Sequence, residues 1–152
     1  MATVGVREAE VADWPAWRQM WRANCAHFHA SLLVAENEEL WRRIMDPDNP
    51  VGALVCGGPG AESTLVGFAH YVLHPHTFSN RTVCYLEDLW VEPSARGTGV
   101  GRRLIDALVA RGRDCGWRRI YWHTEADNTA ARVLYDRVAQ LTDYVRYDVV
   151  LP

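Results

Sequence analysis

The sequence predicts an α/β fold of the α+β kind, with elements in the order β-α-α-β-β-β-α-β-α-β. Three observations carry this. The apolar run Tyr85-Leu86-Glu87-Asp88-Leu89-Trp90-Val91 leads through a Gly-rich turn into an amphipathic helix. The runs Val51–Cys56 and Leu65–Leu73 flank the turn-forming stretch Gly57-Gly58-Pro59-Gly60 and read as a hairpin. Trp14, Trp17 and Trp21 recur at helical spacing near the start. At 152 residues and 49% apolar content the chain fits a single domain, residues 1–152, with one sizeable core.

Each element has a local reason. Residues 3–8 read as a short first strand. A helix starts near Asp13, with Pro15 in its first turn, where a missing N–H costs little. The tryptophan stripe, continued by Phe28, reads first as core, with some rings free to wall a substrate pocket. A second helix spans Glu36–Met45 and stops at Asp46-Pro47. After the hairpin, His74-Pro75-His76 leads into a loop before a long strand, Arg81–Val91. The next helix, Gly99–Arg113, places Val100, Leu104, Ala107, Leu108 and Arg111 at three- and four-residue steps. Arg118–Thr124 reads as a strand, and Asp127 or Asn128 caps a last helix reaching about Gln140. Tyr144–Leu151 alternates well enough for a final strand, whose exposed edge would favour pairing between chains.

The segment Arg96-Gly97-Thr98-Gly99-Val100-Gly101-Arg102-Arg103 combines strand end, glycine turn and helix start. Glycines let backbone N–H groups approach an anion without a Cβ in the way. The first helical turn adds orphan donors and a partial positive charge. Arg96, Arg102 and Arg103 add guanidinium groups suited to phosphate. The loop has no Gly-Lys-Ser/Thr and so is not a Walker A sequence. Its spacing also misses the third glycine of the dinucleotide fingerprint. Arg96, Gly99 and Gly101 instead give R-x-x-G-x-G, and Asn128-Thr129-Ala130-Ala131-Arg132-Val133-Leu134-Tyr135 gives N-x-x-A-x-x-L-Y.

These two motifs, in this order and beside these element types, resemble the GNAT superfamily of acetyl-CoA-dependent N-acetyltransferases. The segments around Tyr85–Val91 and Ile120–Tyr135 look closest to its polyamine/histone-type branch, which includes spermidine/spermine acetyltransferase. The resemblance implies a mixed, mostly antiparallel sheet with a splayed strand pair and helices on both faces. It implies that the cofactor-binding set is Arg96, Gly97, Thr98, Gly99, Val100, Gly101 and Arg102, with the backbone of Leu89 and Val91 and the side chain of Asn128 on acetyl-CoA. Tyr135 corresponds to the general acid. Glu87 matches the Y-L-E-D run and stands as the base, directly or through a water. Because strand side chains alternate, Glu87 and Asp88 are expected on opposite faces. Family members commonly carry a Gly-Phe turn after the Leu-Tyr pair. Here Ala139 stands for the glycine and Tyr144 for the Phe, which changes the helix exit.

The expected reaction is acetyl transfer to a primary amine, whether a polyamine, another small-molecule amine or a lysine. The alternative is a CoA-binding sensor without a working acid or base. A net charge of −3 speaks against a nucleic-acid binder. No run approaches the roughly 20 apolar residues of a membrane span. The N-terminus lacks a signal-like pattern, so a cytoplasmic protein is expected. All sixteen basic residues are Arg. Cys25, Cys56, Cys84 and Cys115 are too widely spaced for a zinc cluster, and Cys56 and Cys84 read as buried thiols. The His27/His29 and His74/His76 pairs lack a third ligand at recognisable spacing, so no metal is expected. His70, His74 and His76 are candidates to line an acceptor pocket. A homodimer is expected.

Overall fold

The computed structural model describes residues 5–58 and 64–152. Its five strands, β1 (Val6–Glu8), β2 (Val51–Gly57), β3 (Leu65–His76), β4 (Ser79–Val91) and β5 (Arg119–Tyr121), form one sheet in sequence order. The first four are antiparallel neighbours, and β5 joins β4 in parallel. The helices are α1 (Trp14–His27), α2 (Val34–Met45), α3 (Val100–Asp114) and α4 (Thr129–Val138). Thr3 and Val4 of the expected first strand, and Pro59 and Gly60 of the expected turn, lie outside the described residues.

The sheet is covered on both faces, because its strands are apolar on both. On one face Cys56, Ala69, Tyr71, Cys84 and Leu86 pack against Val100, Leu104, Ile105 and Leu108 of α3, with Leu134 and Tyr135 of α4 at the margin. On the other, Val55, Phe68 and Trp90 meet Trp17, Met20, Trp21 and Cys25 of α1, flanked by Leu40, Trp41 and Ile44 of α2. The tryptophan stripe is therefore core at Trp17 and Trp21, whereas Phe28 closes α1 and is exposed. Trp21 Nε1 donates to Asn37 Oδ1 at 2.9 Å, tying α1 to α2. Glu36 caps α2 by accepting from the Leu33 N–H at 2.6 Å, and Glu39 pairs with Arg42 and Arg43, so these acidic residues are used within their own helix.

Three expectations are corrected. The strand expected over Leu65–Leu73 runs on through His76, so His74-Pro75-His76 ends β3 and only Thr77 and Phe78 separate it from β4; Pro75 is tolerated there because the register with β4 slips between His74 and His76. The strand expected at 118–124 is paired only over Arg119–Tyr121. The final strand at 144–151 does not form. Its apolar residues fall on both sides of the extended backbone, and Tyr144, Val145, Tyr147, Val149, Val150 and Leu151 are all exposed, so no single face drives docking. The α4 exit needs no glycine, because Ala139 takes extended backbone at φ −147°.

Candidate active site

The glycine turn has the backbone shape that an anion cradle needs. Gly97 and Gly99 adopt φ of +77° and +86°, a region that costs L-residues with a Cβ roughly 1–2 kcal/mol. A Cβ built on either meets no atom within 4 Å, so both face open space. The first helical bond of α3 runs from Arg103 N–H to Gly99 O at 3.0 Å. Among the described residues, no backbone carbonyl or side chain outside the helix accepts from the amides of Gly97, Thr98, Gly99, Val100, Gly101 or Arg102. Six successive amides without an acceptor therefore lead into the positive end of a 15-residue helix.

The arginines behave differently from one another. Arg96 folds back, its Nε donating to Val91 O at 3.0 Å and its guanidinium lying 5.1 Å from the Trp90 ring centroid. Arg102 pairs with Asp106 one turn on at 2.9 Å. Arg103 holds a buried Nε with no partner among the described residues. Thr98 donates from Oγ1 to Ala95 O at 2.6 Å, which closes the turn. Gly101 lies inside α3, and a Cβ there would touch Leu134 of α4 at 3.4 Å, so it sets how closely the two helices approach.

Beside the cradle, β4 and β5 part. Their parallel pairing covers Val83–Tyr85 against Arg119–Tyr121 and goes no further, leaving Leu86–Val91 without a neighbour on that side. Which amides face the gap follows from phase. Glu92 N–H bonds Val66 O at 2.8 Å on the β3 side. Antiparallel pairs alternate, so Trp90 also turns its backbone polar groups toward β3, while Leu89 and Val91 turn theirs away, toward the gap. Val91 O taking its bond from Arg96, outside the ladder, agrees with this phase. The splayed pair is thus present, with the Leu89 and Val91 groups on its open side.

Glu87 occupies a β-bulge. His70 of β3 faces Asp88, but the next residue, Tyr71, faces Leu86, so Glu87 has no partner. The extra residue inverts the strand's alternation. Before it Cys84 and Leu86 point to the α3 side; after it Leu89 and Val91 do, and Asp88 and Trp90 point to the α1 side. Alternation carried forward from Tyr85 puts Glu87 on the α1 side too. This corrects the expectation of opposite faces: strict period-two counting fails where one residue is inserted. Glu87 reaches solvent, yet protein atoms crowd it, and that desolvation, followed by the Asp88 charge, raises its pKa above the ordinary carboxylate value.

Tyr135 lies on the other side of the sheet. Its ring meets Trp122 edge-on at 5.4 Å, and burial raises its phenol pKa, which keeps the proton on at neutral pH. Asn128 sits at the N-cap of α4: Oδ1 accepts from Ala131 N–H at 3.4 Å and Nδ2 donates to Thr124 Oγ1 at 3.0 Å. Glu87 on β4 and Tyr135 on α4 therefore come from opposite faces of the sheet.

Two further features adjoin the site. A cleft of about 250 Å³ between α1 and α2 is lined by Arg18, Arg22, Cys25, Ser31 and Asn37. Its Cys25 thiol pKa is raised by burial and then by the Asp88 charge, which marks that cleft as adjacent to the strand face carrying Asp88. The second feature is a fan of rings next to Glu87. Tyr85 stacks on Tyr121 at 4.9 Å, His123 Nδ1 lies 3.3 Å from Tyr85 Oη, and His74 Nε2 lies 3.1 Å from Tyr121 Oη. His74 is already a candidate to line an acceptor pocket, and Tyr121 and His123 lie two residues apart at and just beyond the end of β5. Among the described residues no group of three or more His, Cys, Asp or Glu is arranged to hold a metal ion, and no helix is long and apolar enough to cross a membrane.

Comparisons with known proteins converge. The model of the acetyltransferase (GNAT) family matches residues 11–139. The chain is 33% identical over 144 residues to a D-amino-acid N-acetyltransferase of Saccharomyces cerevisiae, covering 93% of this chain and 88% of that protein. It is 32% identical over 128 residues to a thialysine N-epsilon-acetyltransferase of Sus scrofa, covering 79% and 75%. The structure of an aminoglycoside N-acetyltransferase in complex with CoA shares the fold, with a TM-score of 0.71 at 20% identity over 97% of this chain and 100% of that one.

Proposed function

The chain belongs to the GNAT family of acetyltransferases, and from that premise we propose that it transfers the acetyl group of acetyl-CoA directly to a primary amine. The observation that carries this reading is the run of six free amides at the start of α3 beside the unpaired half of β4. Family members use acetyl-CoA, and the residues here fit it. The amides of Gly97–Arg102 suit a pyrophosphate, and Arg103, in the first turn of α3, adds positive charge with a buried Nε that has no partner among the described residues. The backbone of Leu89 and Val91 offers the next donors along the gap, for the thioester carbonyl and the pantetheine arm. Asn128 holds the end of α4 against that arm.

The roles of the two titratable groups follow from their protonation. Glu87, with its pKa raised, takes a proton from the acceptor ammonium, directly or through a water. The freed amine nitrogen bonds to the thioester carbon while the C–S bond breaks, and the backbone donors stabilise the charge that develops on the carbonyl oxygen. Tyr135, a phenol that carries its proton at neutral pH, gives it to the leaving sulfur, so CoA departs as the thiol. No protein nucleophile is required.

Among acceptors, the Tyr85-Leu86-Glu87-Asp88 run favours a polyamine or similar small cationic amine, while the names of the relatives point to amino-acid amines as well. The protein acts as a homodimer in this reading. The apolar residues of Tyr144–Leu151 are exposed, and the same chain offers the free edge of β5, so a second copy supplies the missing partner.

The test is thiol release from acetyl-CoA against polyamines, D- and L-amino acids, thialysine, aminoglycosides and lysine peptides. Release with one class supports transfer and names the acceptor. Silence across the panel, with acetyl-CoA still raising the melting temperature, favours a sensor instead.

A further inference from the structure

Trp17, His70 and Asp88 form one hydrogen-bonded line from the deepest part of the α1-side core to the strand face beside Glu87. Trp17 is 0% exposed and His70 2%. The Trp17 indole N–H donates to His70 Nε2 at 2.8 Å. An indole can only donate, so Nε2 is an acceptor. The ring's hydrogen is then on Nδ1, which lies 3.0 Å from Asp88 Oδ2 and donates to it. The imidazole stacks on Phe68 at 4.5 Å and meets the Trp21 ring at 5.0 Å. Among the described residues nothing donates to Asp88 Oδ1.

A buried imidazole is a poor choice for packing alone, because both ring nitrogens must find partners. Here both do, and the chain of bonds ends at the residue next to the bulge. We propose that Trp17 and His70 are positioning residues for the acceptor amine: they fix Asp88 with one oxygen occupied and the other available, so that Asp88 and Glu87 meet a cationic primary ammonium as a preset pair. The ammonium sits between the two carboxylates, and Glu87 then receives its proton. This rests on the reading of Glu87 as the base. The bulge supports it, since that inserted residue is what puts both carboxylates on the α1 side. The influence of the Asp88 charge on Glu87 agrees with their closeness. The other groups facing the pair are Tyr85, His123, Cys25 and Arg146.

The experiment compares His70→Met, His70→Gln and Trp17→Phe by steady-state kinetics on the active acceptor, with acetyl-CoA affinity and melting temperature measured alongside. Loss of alignment in a site of this kind costs about a hundredfold. His70→Met is expected to lower kcat/KM for the amine by a factor of this order, with the acetyl-CoA Kd unchanged. Gln can accept from the indole and donate to Asp88, so His70→Gln should recover most of the loss. Trp17→Phe, which removes only the donor to Nε2, should show a smaller loss in the same direction. Nitrogen-15 NMR of the resting enzyme should show the neutral Nδ1–H tautomer for His70. Unchanged kcat/KM in His70→Met overturns the proposal. So do equal losses in the Met and Gln variants that track melting temperature, or an Nε2–H tautomer. If His70→Met fails to fold, Trp17→Phe and the tautomer decide. Glu87→Gln separates the two levels: full turnover in that variant removes the underlying reading, whereas its loss together with a normal His70→Met removes only the relay.

Discussion

Gly99 offers the sharpest test of the cradle, because the structure contains its own control. Gly99 and Gly116 both sit at positive φ, +86° and +68°, and a Cβ on either meets nothing within 4 Å. Alanine at either position carries the same left-handed backbone cost of roughly 1–2 kcal/mol. In a chain of this length each kcal/mol lowers the melting temperature by about 2–4 °C, so both variants should fall by about 2–8 °C. They differ in what the methyl group faces. At Gly99 it enters the space in front of six free amides; Gly116 lies beyond the C-terminus of α3. A ligand at 100 times its Kd stabilises the fold by about 2.7 kcal/mol, a further rise of several degrees. The assay is thermal unfolding of wild type, Gly99→Ala and Gly116→Ala with and without acetyl-CoA, with calorimetric Kd values. Gly116→Ala should keep the full ligand-induced rise and Gly99→Ala should lose most of it. If both variants keep it equally, the phosphates bind elsewhere.

Tyr135→Phe keeps the edge contact with Trp122 and removes only the hydroxyl. Turnover should drop by about a hundredfold with acetyl-CoA affinity unchanged, and undiminished turnover would remove Tyr135 from proton transfer. Asp88→Asn takes away a charge that raises the Glu87 pKa, so the acidic limb of the kcat/KM profile should move to lower pH; a limb that stays in place means another group sets it. Glu87→Gln has a signed effect on stability. A carboxyl whose folded pKa is raised contributes stability below its unfolded pKa and loses it as pH rises through the folded value. The variant should therefore melt higher than wild type at neutral pH and lose that advantage near pH 4, as melting curves at the two pH values would show. Gly67→Ala would place a Cβ 2.8 Å from both Trp90 O and Val100 Cγ1, and such overpacking should cost about 1–3 kcal/mol in denaturant unfolding.

Much of this was legible in the chain because the signals were local. The tryptophan stripe, the helix stops at Asp46 and Pro47, and the α3 pattern Val100-Leu104-Leu108 each depend on neighbours within two turns, and each element appears within a few residues of its expected span. The cradle was legible for the same reason, since Gly97 and Gly99 are needed by their own backbone angles. The features that escaped depend on partners far away in sequence. The tail's alternation resembles a strand, but strand formation needs an edge to pair with, and none in this chain takes it. His70 reads as one histidine among six, and its meaning lies in Trp17, 53 residues earlier, and Asp88, 18 residues later. The bulge is likewise a property of β3 and β4 together.

The bulge and the splay are best understood as one device. A regular β4 with Leu86 on the α3 side would also turn residue 88 to that side, and would place Leu89 and Val91 on the α1 side. Inserting Glu87 reverses this. It keeps Leu89 and Val91 packed toward α3, close to Gly101, where a Cβ would lie 3.8 Å from Val91 and 3.9 Å from Leu89. It also delivers Asp88 to His70 on the far side. The bulge thus lets β4 carry Glu87 on the face lined by α1 and α2 without turning Asp88 off His70 or Leu89 and Val91 off the side of the cradle helix. The same strand then contacts the donor side through its later side chains and the acceptor side through its carboxylates. Deleting Glu87 tests this directly. It removes the unpaired residue while Leu86 stays opposite Tyr71 and Asp88 opposite His70, so Leu89 and Val91 keep their side beside the cradle. Turnover should fall as it does in Glu87→Gln, with acetyl-CoA affinity unchanged. A loss of acetyl-CoA affinity in the deletion alone would mean that the bulge also shapes the cofactor edge.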